Sequence, residues 1–135
     1  MNYWLVKQEP EKYSFDDLIA DGATDWTGVR NFQARNNLRE MRGGDKILFY
    51  HSGSEKAVVG MAKVALETFQ DPTDDTGKWI AVQIKPFEKF AKAVTLGEIK
   101  ADVNLQNIAL IKQSRLSVMR LTREEFETIL KFNEE

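Results

Sequence analysis

The alternation of apolar and polar residues predicts short β-strands in several parts of the chain. Ile80, Val82 and Ile84 recur at every second position, which is the period of a strand with one buried face. Other runs are rich in β-branched and aromatic residues and give the same prediction. The predicted strands cover residues 3–7, 46–51, 57–68, 79–84 and 115–120. A polar turn over residues 71–77 separates the third of these from the fourth.

Helix starts are marked by three hydroxyl residues that each stand three positions before a carboxylate, the spacing of a capping box. The pairs are Ser14 with Asp17, Thr95 with Glu98, and Thr122 with Glu125. A fourth helix is predicted over residues 31–41, because Ala34, Leu38 and Met41 share one helical face. Strands and helices do not alternate regularly. The pattern therefore predicts an α+β domain, with a curled, barrel-like mixed sheet of about five or six strands and peripheral helices.

Length and composition indicate one globular domain over residues 1–135. The chain is 42% hydrophobic and 30% charged, close to the average for such domains. It has no run of about 20 apolar residues and no secretory signal pattern, so we expect an intracellular protein away from membranes. It has no cysteine and a single histidine, which excludes thiol chemistry and Cys/His zinc sites. We therefore expect no metal and no cofactor, and a monomer is favoured.

The charge is unevenly distributed. A net charge of −2 argues against a protein that envelops duplex nucleic acid through its bulk charge. Residues 30–46, however, hold five basic side chains against two acidic ones. On a helix, Asn31, Arg35, Arg39 and Arg42 form one stripe, and guanidinium groups suit phosphate contact. The alternative is a solvated helix face, which is the more common meaning of such a stripe.

Three aromatic residues, Trp4, Trp26 and Tyr50, each precede a group of polar side chains. A nucleobase turned out of its helix needs this combination, with stacking on its faces and hydrogen bonds to its edge. The alternative is that these aromatics belong to the core and that their polar atoms have partners there.

Taken in chain order, these residues resemble the EVE domain family. The matching segments are Tyr3-Trp4-Leu5, Lys7-x-Glu9-Pro10, Trp26-Thr27-Gly28-Val29-Arg30-Asn31, Ala34-Arg35-Asn36, Met41-x-x-Gly44-Asp45, Tyr50-His51-Ser52, Val59-Gly60 and Arg115-Leu116-Ser117-Val118. Gln8 departs from the pattern, which commonly has Ser at this position. The resemblance implies a PUA-like fold related to YTH domains. It also implies a non-catalytic reader of a modified nucleobase, above all modified cytosine in DNA.

The resemblance also implies a base pocket with Trp26 and Trp4 as its walls. The other residues expected in this pocket are Lys7, Glu9, Val29, Asn31, Asn36, Tyr50, His51 and Ser52. Those expected to contact phosphate or support the pocket are Arg30, Arg35, Arg39, Arg115 and Ser117. Asn31 has a second, compatible role as the cap of the helix that it opens.

Other functions stay open at this point. An RNA-binding module is the nearest, because the arginine stripe does not distinguish the two sugars. A sensor of a free nucleoside is a further possibility. A small hydrolase using His51 as general base is disfavoured, because His51 and Ser52 are adjacent on a predicted strand and would point to opposite faces. The implied location is the cytoplasm of a bacterium or the nucleus of a eukaryote.

Overall fold

The computed structural model describes residues 1–134 and has mixed α and β structure. Within this range it contains six strands: β1 Tyr3–Gln8, β2 Thr24–Trp26, β3 Lys46–His51, β4 Ala57–Gln70, β5 Ile80–Thr95 and β6 Val118–Leu121. The α-helices in the same range are α1 Phe15–Asp21, α2 Phe32–Glu40, α3 Leu96–Ala101, α4 Ala109–Lys112 and α5 Arg123–Glu134. A short 3₁₀ turn covers Val103–Leu105. The predicted α+β class and strand number are confirmed.

All six strands belong to one sheet in the order β2-β5-β4-β3-β1-β6. Most neighbours are antiparallel, but β1 runs parallel to β3. On its other side β1 is antiparallel to β6. The parallel register pairs Lys7 with Tyr50 and Gln8 with His51. The carboxyl ends of β1 and β3 therefore lie side by side, and this places their following residues at one edge of the sheet.

The long hairpin of β4 and β5 is irregular, and this bends the sheet. Its register shifts at four places, one of them between Val58 and Gly60. Each bulge increases the local twist and bends the strand, as a curled sheet requires. A Cβ at Gly60 would lie 2.6 Å from the ring of Phe15, so the absence of a side chain lets α1 pack closely on the sheet.

Each predicted capping box is present. The Ser14 hydroxyl accepts from the Asp17 N–H at 3.0 Å, and the Asp17 carboxylate accepts in return from the Ser14 N–H at 2.9 Å. The boxes at Thr95 and Thr122 have the same reciprocal bonds. In helix α2 the predicted core residues Ala34 and Leu38 are fully buried, and so is Met41, which directly follows the helix. Strand β5 is longer than expected, and β2, α4 and the 3₁₀ turn were not predicted.

Candidate functional site

The carboxyl ends of β1 and β3 meet the loop that precedes β6. The Lys7 N–H donates to the Ser117 carbonyl at 2.9 Å, and the Ser52 N–H donates to the Gln8 carbonyl at 3.0 Å. The Lys7 ammonium reaches the Ser114 carbonyl at 2.8 Å. Three separate parts of the sequence are thus held together by backbone and side-chain bonds.

An open cavity of about 370 Å³ lies at this junction, and we call it the strand-end cavity. Its lining residues are Lys7, Gln8, Glu9, Ser52, Gly53, Ser114, Arg115, Leu116 and Ser117. Five of the residues expected at the site are among them: Lys7, Glu9, Ser52, Arg115 and Ser117. The volume falls within the range of about 300–1,000 Å³ that small-ligand pockets occupy. The lining is mainly polar and cationic, which suits a ligand with hydrogen-bonding edges and negative charge.

Trp26 lies beside this cavity in the short strand β2. Its indole is 6% exposed, and its ring meets that of Phe49 edge-on with centroids 5.5 Å apart. Trp26 borders a smaller recess of about 160 Å³, which we call the Trp26 recess. The other residues around it are Gln8, Tyr13, Thr24, Asp25 and Thr27. Because Gln8 lines both hollows, the Trp26 recess adjoins the strand-end cavity.

A third hollow, of about 260 Å³, adds positive charge next to the strand-end cavity. Lys7, Lys56 and Lys100 line it together with Tyr50, and it shares Lys7 and Ser52 with the strand-end cavity. Burial lowers the pKa of the Lys7 ammonium and raises that of the Tyr50 hydroxyl. Three ammonium groups around one hollow favour an anionic ligand such as phosphate.

His51 has a structural role in this arrangement. Its Nε2 accepts from the backbone N–H of Phe15 at 3.1 Å, and its Nδ1 lies 2.8 Å from a Glu55 carboxylate oxygen. A backbone N–H can only donate, so Nε2 carries no proton and Nδ1–H donates to Glu55. Its ring is 7% exposed, and it ties the end of β3 to the start of α1. The expectation that His51 lines the pocket is corrected, because both ring nitrogens are already engaged.

Trp4 also requires a correction. It is completely buried, and its indole N–H donates to the Asp45 carboxylate at 3.0 Å. Asp45 is itself 3% exposed and accepts from the backbone N–H groups of Asn2 and Arg42. Trp4 is therefore a core residue with a satisfied polar atom, and it offers no face to a ligand.

Helix α2 places its expected site residues apart from the strand-end cavity. Asn31 caps the helix by accepting from the Ala34 N–H at 2.9 Å, while Val29 is buried at 6% exposure. Asn36 is exposed and accepts from the Arg35 guanidinium at 3.2 Å. Asn31 and Gln33 border a separate recess of about 300 Å³. That recess is completed by Lys112, Gln113, Ser114, Arg115 and Leu116, and the last three of these also line the strand-end cavity.

Arg30 is held by the loop between β4 and β5. Its guanidinium donates to the fully buried Asp71 carboxylate at 3.0 Å. Burial by itself raises the pKa of Asp71, but hydrogen bonds from Thr73, the Gly28 N–H and Arg30 outweigh it and lower the pKa to about 2. The Arg30 side chain is 39% exposed, but its guanidinium is paired with a buried carboxylate, which favours a supporting role over phosphate contact. Arg39, by contrast, is exposed on α2.

Two residues that the sequence did not single out lie next to this ion pair. Phe32 and Trp79 are stacked with ring centroids 4.9 Å apart, and the Arg35 guanidinium lies 4.8 Å from the Phe32 ring centroid. Phe32 is 58% exposed. The sequence contained one signal for it, a large apolar residue directly after a helix cap and on the opposite side of the helix from the buried stripe.

No helix in residues 1–134 is both long and apolar enough to cross a membrane. In the same part of the chain, no three His, Cys, Asp or Glu residues are grouped so that they could hold a metal ion.

The mixed sheet and its peripheral helices form a fold that YTH domains also adopt. A crystal structure of the YTH domain of Zygosaccharomyces rouxii MRB1 protein, in complex with N6-methyladenosine RNA, has the same fold. It superposes with a TM-score of 0.60 over 98% of this chain and 86% of that chain, at 19% identity. More specifically, the chain belongs to the EVE domain family, whose model matches residues 2–132.

Relatives across the family resemble the whole chain. Thymocyte nuclear protein 1 of Gallus gallus is 35% identical over 98% of this chain and 69% of its own length. The NMR structure of Rpa0253 from Rhodopseudomonas palustris is 42% identical, with a TM-score of 0.94 over 99% of this chain and 94% of that one. The crystal structure of human THYN1 in complex with DNA containing 5-methylcytosine is 31% identical, with a TM-score of 0.93 over 100% of this chain and 99% of that one.

Proposed function

We propose that this chain is a non-catalytic reader that binds a modified nucleobase in nucleic acid, and that the base enters at the strand-end cavity and the Trp26 recess. The observation that carries the proposal is the convergence of Lys7, Ser52, Arg115 and Ser117 around one cavity from three distant parts of the sequence. The likeness to human THYN1, solved with DNA containing 5-methylcytosine, supports modified cytosine in DNA as the ligand. The family match over 2–132 supports a single EVE domain.

The energetics require stacking and edge contacts together. Turning a base out of a duplex costs a few kcal/mol, and less where the strand is already unpaired. Stacking on an aromatic side chain returns about 1–3 kcal/mol, which is close to that cost. Edge hydrogen bonds therefore decide whether binding is favourable and which base is selected.

Gln8 is the side chain best placed to read a base edge, because it separates the two hollows. Its amide oxygen accepts from the Glu9 N–H at 2.9 Å, so its NH₂ group is the part that meets a ligand. Such a donor pairs with a carbonyl or ring-nitrogen acceptor, both of which a cytosine edge offers. Ser52 and Ser117 add hydroxyl groups to the lining of the cavity.

The charge around the cavity suits the phosphates on either side of a bound base. Lys7 and Arg115 line the cavity itself, and Lys56 and Lys100 line the adjoining hollow with Lys7. The chain as a whole carries a net charge of −2, so this attraction is local. The protein should therefore hold a short stretch of backbone rather than wrap a duplex.

A reader of modified bases needs no catalysis, and the hydrogen bonds of the His51 ring support a non-catalytic role. A general base must accept a proton from the substrate through a free nitrogen. His51 has neither nitrogen available, because Phe15 and Glu55 occupy both. The adjacent Ser52 consequently has no base to activate it.

A binding panel tests the proposal. Fluorescence anisotropy is measured with oligonucleotides that differ only in one cytosine or adenine modification, each as DNA and as RNA. We expect tighter binding to one modified base, and Gln8→Ala should lower that preference about fivefold, the value of one hydrogen bond. Arg115→Ala should weaken modified and unmodified oligonucleotides alike. Arg123→Ala is the matched control, because Arg123 pairs with Glu127 on α5 away from the site.

Equal affinity for modified and unmodified oligonucleotides would contradict the proposal. Tighter binding to RNA of matched sequence would identify RNA, and not DNA, as the ligand of the same site. Full affinity for the free nucleoside without salt dependence would instead indicate a small-molecule sensor.

A further inference from the structure

Phe32, Trp79 and Arg35 form a cluster at the surface, which we call the aromatic platform; Phe32 is exposed, and Trp79 and Arg35 are half-buried. The two rings are inclined by only 27° at a centroid distance of 4.9 Å, and the Arg35 guanidinium lies 4.8 Å from the Phe32 centroid. A single exposed apolar side chain needs no explanation. Here, however, an exposed ring rests on a second ring and beside a guanidinium, so the surface is both planar and cationic.

The loop that carries Trp79 is held in place without help from the stacked rings. The backbone N–H of Trp79 donates to the Asp74 carboxylate at 3.0 Å, and the backbone N–H of Gly28 donates to the Asp71 carboxylate at 2.8 Å. Phe32 is fixed from the other side, because it directly follows the cap residue Asn31. The platform is therefore preorganised, which reduces the entropy lost when a ligand binds.

The platform keeps its positive charge, although Arg35 is half-buried. Arg35 donates to neutral oxygens, the Asn36 amide at 3.2 Å and the Lys78 carbonyl at 3.2 Å. Arg30 differs, because Asp71 neutralises it. Arg39 extends the basic surface one turn further along α2. An anionic polymer with flat rings matches this combination of stacking surface and charge.

A polar recess links the strand-end cavity to the start of α2, where the platform begins. Ser114, Arg115 and Leu116 line both that cavity and the recess that contains Asn31 and Gln33. Asn31 is the chain neighbour of Phe32. Arg115 therefore lies between the strand-end cavity and the helix start that carries Phe32.

We propose that the aromatic platform stacks a second, unpaired nucleobase of the same strand whose modified base occupies the strand-end cavity. This inference rests on the proposed function and extends it from one base to a short single-stranded segment. Arg35 contacts the phosphate next to the stacked base, and the Phe32 ring supplies the stacking face. Selectivity for the modification stays in the strand-end cavity, because stacking does not distinguish bases strongly.

The test uses Phe32→Ala and the conservative variant Phe32→Tyr on the full chain. The probes are a single-stranded DNA 12-mer with one 5-methylcytosine, the same 12-mer without the methyl group, and 5-methyl-dCMP. We expect Phe32→Ala to weaken both 12-mers about tenfold and by the same factor, while its affinity for 5-methyl-dCMP is unchanged. Phe32→Tyr should restore binding, because its ring stacks as well as that of Phe.

Salt dependence separates the two parts of the platform. Phe32→Ala should keep the slope of log Kd against log salt concentration, whereas Arg35→Ala should reduce it by about 0.7, the value of one phosphate on a single strand. Urea unfolding of each variant checks that the fold is intact, as expected for an exposed side chain. Unchanged affinity of Phe32→Ala for the 12-mers would overturn the inference, and so would weakening by Phe32→Tyr equal to that by Phe32→Ala.

Failure of the platform and failure of the proposed function give different results. If wild-type protein shows no preference for the methylated 12-mer but Phe32→Ala still weakens both, the platform is retained and the reader function is rejected. If the preference is present and Gln8→Ala abolishes it while Phe32→Ala has no effect, the reader function is retained and the platform is rejected.

Discussion

Trp4 and Trp79 have similar neighbours but opposite places in the molecule. Each indole has a guanidinium 5.6 Å from its centroid, Arg120 for Trp4 and Arg30 for Trp79. Trp4 is nevertheless sealed in the core, where its N–H donates to a buried carboxylate. Trp79 stays at the surface, stacked on an exposed Phe32. The comparison shows that burial in the folded chain, and not the polar residues next to a tryptophan in sequence, decides which tryptophan is available to a ligand.

The largest effect is expected from Asp45→Ala, which tests how much the buried carboxylate beside Trp4 stabilises the fold. It removes the acceptor of the buried Trp4 indole and of two backbone N–H groups. A buried donor left without a partner costs about 1–3 kcal/mol, so we expect the free energy of unfolding to fall by about 3 kcal/mol. Urea unfolding followed by tryptophan fluorescence measures this loss.

Trp79→Ala is the matched control for the surface indole. It removes a stacked pair but leaves no buried polar group, so the free energy of unfolding should fall by only about 1 kcal/mol. Equal losses for the two variants would show that the buried carboxylate has no special role.

Asp71 helps to hold the loop that carries Trp79, and the stability of the protein at acidic pH tests this contribution. Hydrogen bonds lower the pKa of Asp71 from 3.8 to about 2 despite its burial. Because the folded-state pKa is the lower one, the ionised carboxylate stabilises the fold fully above about pH 4. This stabilisation, about 2 kcal/mol, is lost as the pH falls toward 2.

Asp74 also has a pKa lowered to about 2, chiefly by hydrogen bonds from Thr76. The variant Asp71→Asn therefore separates the contribution of Asp71 from that of Asp74. The difference in unfolding free energy between wild type and Asp71→Asn should be largest near pH 6 and shrink as the pH approaches 2. A difference that does not change with pH would contradict the assignment of the ion pair.

The smallest expected effect concerns Asn31, which fixes the start of the helix that presents Phe32. Asn31→Ala loses the cap on Ala34 N–H and should lower the unfolding free energy by about 1 kcal/mol. Asn31→Ser keeps a capping oxygen but removes the amide, so stability should be retained. If Asn31→Ser weakens oligonucleotide binding at full stability, Asn31 also contacts the ligand; unchanged binding would limit it to capping.

Much of the fold follows from local sequence. The capping boxes and the apolar stripe of α2 are short-range features, and the structure confirms both. Strand β2 was missed because it has three residues and depends on pairing with the distant β5. The prediction of β5 stopped at Ile84 because Lys85 and Pro86 interrupt its alternation. The pairing tolerates Pro86 where the register shifts next to Ala62.

The site was predictable only in part, because burial depends on contacts far apart in sequence. Lys7, Ser52, Arg115 and Ser117 carry polar groups at strand ends, and they do meet at one cavity. The placement of Trp4 depends on Asp45, 41 positions away, and no local pattern reveals that pairing. The stacking of Phe32 on Trp79 likewise joins a helix start to a loop that only the folded sheet brings together.

The position of β1 between β3 and β6 has a consequence for how the protein is made. This strand is synthesised before both of its neighbours, and β6 begins only at Val118. Until the ribosome has released that segment, one edge of β1 has no partner, and the Lys7 N–H cannot meet the Ser117 carbonyl. Pairing between such distant segments slows folding. The strand-end cavity is therefore completed late in folding, only after the segment from Ser114 to β6 has been synthesised.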